Sequence, residues 1–457
     1  MTEIASNVDV QSIEEGMIFD YITEKPIKDT PKEKVRQRIA RALFHEDGIS
    51  IDDMEPNFPM VVNGKKKKID IAIFAPESEH SLENLRRIVI CEKEPRTSTK
   101  GAYKMRDHDQ AKKDFELLHT ALSEDGVPEE CKYGLWTNGL DFFFFQKIVT
   151  RFDVSFSPMG HWPDVEGSIG TRNLHSEAKL RKADPDMLRI AFRRCHNFIH
   201  GNEGMPKDAA FWQFLRLIYC KMYDEGQSDR RFYSGYIPRE VKGTTQYIDE
   251  QFDDEGRKAI RQRIVGLFED VKKTYPKLFD GTEQITLSDR ALAFMVSELG
   301  KYDMRRADVD AKGAAYQEIV GTNLRGDRGQ YFTPRSAIKL VVQMLDPKEN
   351  ERVLDPSMGT GGFLVEAVNH QLRRFRAEKE NKAPEDTEEF LCELERIQHY
   401  VNECVFGADF DPFLVKATTM NMTMAANDPG HLFHMDSLSF PDGHLSGVSE
   451  ANAQIPF

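Results

Sequence analysis

The 457-residue sequence contains no apolar run approaching the roughly 18 to 20 residues a membrane-spanning helix needs. It opens MTEIASNVDVQSIEEG, with no basic stretch followed by an apolar one. No secretory signal is read there, and a cytoplasmic protein with no membrane partner is expected. Cysteine is scarce: six residues, at 91, 131, 195, 220, 392 and 404, with no Cys-x-x-Cys pair. That spacing suggests neither a zinc knuckle nor a disulfide framework and leaves free thiols in a reducing compartment. A Gly-x-x-x-x-Gly-Lys-Ser/Thr phosphate loop is missing too, which weakens a nucleoside-triphosphatase reading. No internal repeat occurs.

What is present is the composition of a folded protein: 40% hydrophobic and 30% charged residues, long enough for about three domains of 100 to 200 residues. The net charge of −14 is unevenly spread. Residues 351–457 hold 8 Lys/Arg against 18 Asp/Glu, and residues 1–30 hold 2 against 7, so the middle is close to neutral. Lys65, Lys66, Lys67 and Lys68 form a basic run inside it, and a polyanionic partner is therefore not excluded by global charge.

The chain reads as an α/β multidomain protein. Residues 31–45 have Val35, Ile39, Ala42 and Leu43 at helical spacing behind Pro31. After a turn-rich stretch come short β-rich segments at 69–74, 88–91 and 133–137, the last leading into Phe142 to Phe145, with a helical stretch over 104–122 between the second and third. This predicts a small α/β domain over 1–155. Residues 156–183, rich in Ser, Pro and Gly at their start, read as a linker. From 184 to 316 the pattern is helical, and 209–220 is apolar nearly all round, which predicts a buried helix. From 353 onward strands alternate with helices, predicting a third domain over 317–457.

The strongest motif is Val-Leu-Asp-Pro-Ser-Met-Gly-Thr-Gly-Gly-Phe over 353–363. It reads as a strand, a carboxylate at its end (Asp355), then Gly359, Thr360, Gly361 and Gly362 entering a helix. Glycines there let the backbone approach a ligand, and the carboxyl ends of strands are where open α/β sheets bind cofactors. Two further strands end in acids, Asp409 placed for ribose hydroxyls and Asp436 for an exocyclic amine. Together they outline an adenosyl-cofactor cleft. Asp355 and Asp409 are 54 residues apart because of an acidic helical insertion near 376–400, far beyond the roughly 20 of a dinucleotide fingerprint.

These residues, with Gly-Gln-Tyr-Phe-Thr-Pro-Arg over 329–335, Gly-Ala-Asp-Phe-Asp-Pro over 407–412, Met420-Asn421-Met422 and Asp436-Ser-Leu, resemble the modification subunits of type I restriction-modification systems over residues 185–457. That family consists of N-6 adenine-specific DNA methyltransferases with a Rossmann-like fold. The resemblance implies S-adenosyl-L-methionine as cofactor, contacted by Gln330, Tyr331, Phe332, Thr333, Pro334 and Arg335 and by Thr360 to Gly362, with Asp409 on its ribose and Asp436 near its adenine. It implies double-stranded DNA as substrate and, as partners, a specificity subunit or C-terminal recognition domain and a restriction subunit. The family has Glu where this chain has Asp409. Its Asn-Pro-Pro-Phe/Tyr turn, which holds the flipped adenine, occurs nowhere in the sequence. The chain is therefore expected to stop inside the methyltransferase domain and not to methylate DNA by itself.

The N-terminal segment resembles the restriction-endonuclease-like, PD-(D/E)XK-type domain of restriction subunits, through Asp70, then Cys91-Glu92-Lys93, then Gln110 and Trp136-Thr-Asn-Gly139. The resemblance implies Asp70 and Glu92 as Mg²⁺ ligands and Lys93 beside the attacking water. Aligned on Lys93, however, Cys91 stands where the acid belongs, Glu92 falls on the opposite face of the strand, and a thiol is a poor Mg²⁺ ligand. A β-bulge is the alternative that would re-aim Glu92.

Other features carry two readings each. Cys195, His196 and His200 have zinc-ligand spacing, but His is also favoured before a helix C-cap at Gly201. The lysine run grips phosphates or ends a solvated hairpin. Phe142 to Phe145 are strand core or a base-stacking platform. For the whole chain, the alternative to a restriction-modification enzyme is a non-catalytic cofactor- and DNA-binding subunit that needs a partner chain.

Overall fold

The computed structural model of the chain describes residues 16–94, 108–149, 154–162, 180, 185–241, 244–276, 278–279, 281–305, 307, 312–313, 316, 333–378 and 387–439. The chain divides into two compact units, each assembled from separated stretches. The first is Met1–Asp184, Gln227–Ile264 and Ser288–Asp303; the second is Pro185–Gly226, Val265–Leu287 and Met304–Phe457. The expected single helical domain over 184–316 is thus shared between the two. Helical patterning says that a face must be buried, not which neighbour buries it.

In the first unit a short hairpin, β1 (Met17–Phe19) and β2 (Pro26–Lys28), precedes α1 (Pro31–His45). The hydroxyl of Thr30 caps α1 by accepting the Glu33 N–H, and Pro31 sits where a missing N–H costs nothing. A six-stranded sheet follows, in spatial order β3 (Met54–Val62), β4 (Lys65–Phe74), β5 (Leu85–Cys91), β6 (Tyr133–Thr137), β7 (Phe142–Val149) and β8 (Val154–Met159). All neighbours are antiparallel except β5 and β6, which α2 (His108–Ser123) joins as a parallel crossover. One face packs on α1, with Ile71, Ile73, Val89 and Leu135 against Val35, Ile39 and Leu43. The other packs on α2, with Ala72, Ile88 and Ile90 against Leu118 and Leu122.

Two strands of this sheet were not legible in the sequence, nor were the hairpin β1–β2 and the hairpin at 236–249, which interrupts the stretch read as helical. β3 carries Pro56, Asn57 and Pro59, and Asn57 has φ +56°, so turn chemistry masks an edge strand. β8 corrects the proposed boundary at 155, because the sheet continues through Met159 to the buried Trp162. The lysine run is the start of β4, fully exposed after a two-residue Asn63-Gly64 turn with both φ angles positive, which is the hairpin-end reading. Phe143 and Phe145 pack on the α2 core and Phe142 and Phe144 on the α1 core, so the run is a two-sided strand interior. The unit also contains the hairpin β9 (Tyr236–Val241) and β10 (Thr244–Asp249), the first part of α5 (Asp254–Thr274), and α6 (Asp289–Gly300).

The second unit holds α3 (Pro185–Asn202), α4 (Lys207–Asp224), α7 (Arg335–Leu345) and a parallel sheet in the order β11 (Val353–Asp355), β12 (Val405–Asp409) and β13 (His431–His434). Between these strands lie α8 (Gly362–Glu378), α9 (Thr387–Cys404) and α10 (Pro412–Ala426). The expected insertion is α9, which lengthens the first crossover. Leu364, Val368, Val401, Val405 and Met422 share one core. α4 is buried on nearly every side, as its composition predicts, and its Tyr219 hydroxyl donates to the Met420 carbonyl at 3.1 Å. α3 runs through Gly201, and the left-handed residue that follows it is Gly204, at φ +61°. Among the described residues there is no group of three His, Cys, Asp or Glu side chains that could hold a metal ion; the side chain of His200, the third member of the zinc reading with Cys195 and His196, lies outside those described. No described helix is long and apolar enough to cross a membrane.

Candidate functional site

The second unit gathers its acids at the carboxyl ends of its three strands. Asp355 ends β11 and pairs in register with Gly407 of β12, two residues before Asp409. The turn after Asp355 is bonded to the neighbouring strand: Met358 N–H donates to the Ala408 carbonyl at 3.0 Å, and Gly359 N–H donates to Asp409 Oδ2 at 2.9 Å. Asp409 Oδ1 accepts the Asp411 N–H at 2.9 Å, and Asp411 in turn caps α10 through the Phe413 N–H. One carboxylate therefore locks the glycine turn to the start of the next helix. α10 closes the turn from the other side. Thr418 Oγ1 donates to the Gly359 carbonyl at 2.7 Å and Asn421 Nδ2 to the Thr360 carbonyl at 2.9 Å.

The glycines are obligatory for two reasons. Gly359 and Gly361 have φ +57° and +80°, where L side chains are strained. A Cβ on Gly361 would lie 2.6 Å from Thr418 Cγ2, one on Gly362 would lie 2.8 Å from Ile338 Cδ1, and one on Gly407 would lie 2.6 Å from Met358 Sδ. The turn is thus close-packed at Gly361 and Gly362 against α10 and α7, while Gly359, whose Cβ position is open, is held to glycine by its φ alone.

Electrostatically the cleft is acidic. Burial pushes the Asp355 carboxyl above the usual carboxylate range; the Ser357 N–H pulls it back, and the nearby Asp409 charge adds to the rise. Asp436 follows β13, its Oδ1 accepting the Leu438 N–H at 3.0 Å, while Ser437 Oγ donates to the Pro356 carbonyl at 2.6 Å. Asp355, Gly359 to Gly362, Asp409 and Asp436 are therefore brought together as the sequence predicts. Of the upstream motif, Gln330, Tyr331 and Phe332 lie outside the described residues. Thr333 is exposed, Pro334 starts α7, and Arg335 lines a polar cavity beside Gly362 with Glu366, Asn369 and Asn421.

Two residues escaped the sequence reading. Phe410 follows Asp409 at the strand end and is 64% exposed, its ring standing at the mouth of the turn. Thr418 fixes the turn from the second turn of α10. An aromatic between two acids, Asp409 and Asp411, was the available signal for the first; nothing in the pattern marks the second.

In the first unit Asp70 lies on β4, 6% exposed, with Oδ1 2.8 Å from Lys32 Nζ and Oδ2 accepting the Cys91 N–H at 2.8 Å. Cys91 is buried in the α1 core, and burial together with the Asp70 charge pushes its thiol pKa up, so it stays protonated. Glu92 lies past the end of β5; its N–H pairs with the Thr137 carbonyl and its Oε1 accepts the Lys93 N–H at 3.0 Å. The β4–β5 register shift falls at Ile73/Phe74, away from Glu92, so no bulge re-aims that acid. The expected Asp70–Glu92 pair does not fit Mg²⁺, which needs several oxygen ligands at about 2.0–2.1 Å. Asp70 is nearly closed to the waters such an ion keeps, and the adjoining side chain is a buried thiol.

Comparison with known proteins matches two separate segments of the chain. Residues 307–452 match the family model described as N-6 DNA Methylase, and residues 31–157 match that of the Type I restriction enzyme R protein N terminus (HSDR_N). The EcoKI methylase subunit of the type I restriction enzyme of Escherichia coli (strain K12) is 28% identical over 190 residues, covering 40% of this chain and 34% of the relative. The HindI methylase subunit of Haemophilus influenzae is 29% identical over 196 residues, covering 41% and 37%. The chain thus spans about a third of the length of these relatives. The crystal structure of the type I restriction enzyme EcoKI M protein is similar over 54% of this chain and 43% of its own, at 18% identity and a TM-score of 0.18. Residues 307–452 are thus similar to N-6 DNA methylases, including the methylase subunits of type I restriction enzymes, and residues 31–157 to the N terminus of the type I restriction enzyme R protein.

Proposed function

We propose that the second unit binds S-adenosyl-L-methionine and acts as the cofactor half of an adenine-N6 DNA methyltransferase within a restriction-modification system. The observation that carries this reading is the bond from Gly359 N–H to Asp409. It fuses a side-chain-free turn and a strand-end acid into one preformed cleft, inside the segment matched by the methylase family. The donor set fits the cofactor. Each Asp409 oxygen keeps a second lone pair beyond its backbone bond and so can still accept a ribose hydroxyl. The exposed Phe410 ring offers a face to a purine, and Asp436 an acceptor to its amine. The repulsion between Asp355 and Asp409 favours a ligand with positive groups, and S-adenosylmethionine has two, an ammonium and a sulfonium.

When bound, that cofactor supplies an electrophilic methyl group. The residues of this chain hold and orient it: Thr418 and Asn421 keep the turn rigid, and Arg335, by family resemblance, borders the site with Thr333 and Pro334. The substrate is double-stranded DNA, acted on in the cytoplasm, with target recognition assigned to a specificity subunit or recognition domain and a restriction subunit as further partner. Isothermal titration with S-adenosylmethionine should give one site per chain. Asp409→Ala and Gly361→Ala should each weaken binding at least tenfold, the second because it must displace Thr418. Equal affinity in all three proteins would sink the assignment.

A further inference from the structure

The acid that resemblance would give to a divalent ion already has a cation. Lys32 comes from the first turn of α1, and its Nζ lies 2.8 Å from Asp70 Oδ1. The other carboxylate oxygen accepts the Cys91 N–H at 2.8 Å, so one lone pair on each oxygen is committed. Around this pair the surroundings suit an ammonium and not a metal. Asp70 is 6% exposed, which leaves little room for the waters that Mg²⁺ keeps. The next strand offers the buried Cys91 thiol instead of a second oxygen donor. Glu92, which would have to supply that donor, takes the Lys93 N–H and acts on Lys32 only at longer range. The helix itself is firmly placed: Thr30 caps it, and Arg36, one turn on from Lys32, is buried and paired with both Asp20 and Glu33. Lys32 is delivered to Asp70 by a fixed element, not by a wandering surface chain.

We infer that Lys32 is a built-in counter-cation that stands in the metal position of the N-terminal domain. The domain pairs Asp70 with this ammonium without a divalent ion, and it does not hydrolyse DNA phosphodiester bonds. This goes beyond the cofactor reading and is independent of it, since it concerns only the first unit.

The test uses the full 457-residue chain, with Mn²⁺ titrated by calorimetry and nicking of supercoiled plasmid followed in Mg²⁺. The wild type should show no Asp70-dependent Mn²⁺ binding, the same melting temperature in Mg²⁺ and in EDTA, and no nicking. Replacing the ammonium and restoring the acid, Lys32→Ala with Cys91→Glu, should create a single Mn²⁺ site at least tenfold tighter than any in the wild type, and Asp70→Asn should remove it. Because Cys91 is buried, that pair can fail to fold; Lys32→Gln alone, at a half-exposed side chain, is the second variant: with the thiol still in place of a second oxygen donor it should bind no Mn²⁺, and it should melt below the wild type in Mg²⁺ and in EDTA alike, Asp70 having lost its ammonium. Wild-type binding or nicking that Asp70→Asn abolishes would overturn the inference. So would a folded Lys32→Gln chain that melts with the wild type, or one that Mg²⁺ stabilises through Asp70. S-adenosylmethionine titration of the same samples reports separately on the second unit.

Discussion

At the residue scale, buried charges in this protein are held by more than one partner, and this sets their response to pH. Burial raises the pKa of Asp20, but the Arg36 guanidinium and the N–H groups of Ile22 and Thr23 outweigh it, and the carboxyl ends below its usual range. A carboxyl depressed on folding contributes stability above its unfolded pKa of about 3.9, and that contribution is lost as pH falls through the folded value. Asp20→Asn should therefore flatten the acid limb of the stability curve below about pH 4. Near neutrality it should cost roughly 3 kcal/mol, the lower end for breaking a buried pair, because Arg36 keeps Glu33 at 2.6 Å. Urea unfolding at several pH values checks both, and an unchanged acid limb would show that Asp20 is not the group responsible. The acids of the proposed cofactor site were legible one by one because strand ends and glycines are local signals. Lys32 was not, because nothing in a helix's first turn announces which strand it will meet.

At the element scale, local chemistry sets hairpins and caps. Asn63-Gly64 has the residues for a turn with two positive φ angles, and β3 and β4 pair directly from it, Val62 opposite Lys65. No atom lies within 4 Å of a Cβ placed on Gly64, so the cost of Gly64→Ala is conformational alone. A loss of about 1 kcal/mol is expected, read as a lower denaturation midpoint at unchanged m-value, with S-adenosylmethionine affinity intact. A loss of more than about 3 kcal/mol would mean the turn carries contacts beyond its backbone. β3 shows the limit of such signals. Its prolines are tolerated because it is an edge strand, and edge or centre is decided by the sheet, not by the segment.

At the scale of the whole molecule, the chain interleaves its two units, with residues 227–264 and 288–303 returning to the first after 185–226 has joined the second. The proposed cofactor cleft draws only on local pieces of the second unit: β11, the glycine turn, β12 and α10. Holding an adenine needs more, and no Asn-Pro-Pro-Phe/Tyr turn exists among the 457 residues. The polypeptide by itself should therefore bind S-adenosylmethionine yet transfer no labelled methyl group to unmethylated DNA. Transfer above the level of an Asp409→Ala control would refute this.

The sequence by itself determined the strand-end acids, the glycine turn, the buried helix α4 and the α/β character of both units, because each depends on neighbours within a few residues or on a strict period. Only the tertiary structure decided that Asp409 bonds the glycine turn, that Thr418 and Asn421 close it, that helices from one stretch serve two units, and that Lys32 faces Asp70. These pairings join residues from 38 to 61 positions apart, as Lys32 and Asp70 or Thr360 and Asn421 are. At such separations the chain's pattern fixes that a group needs a partner, while packing alone selects which one it gets.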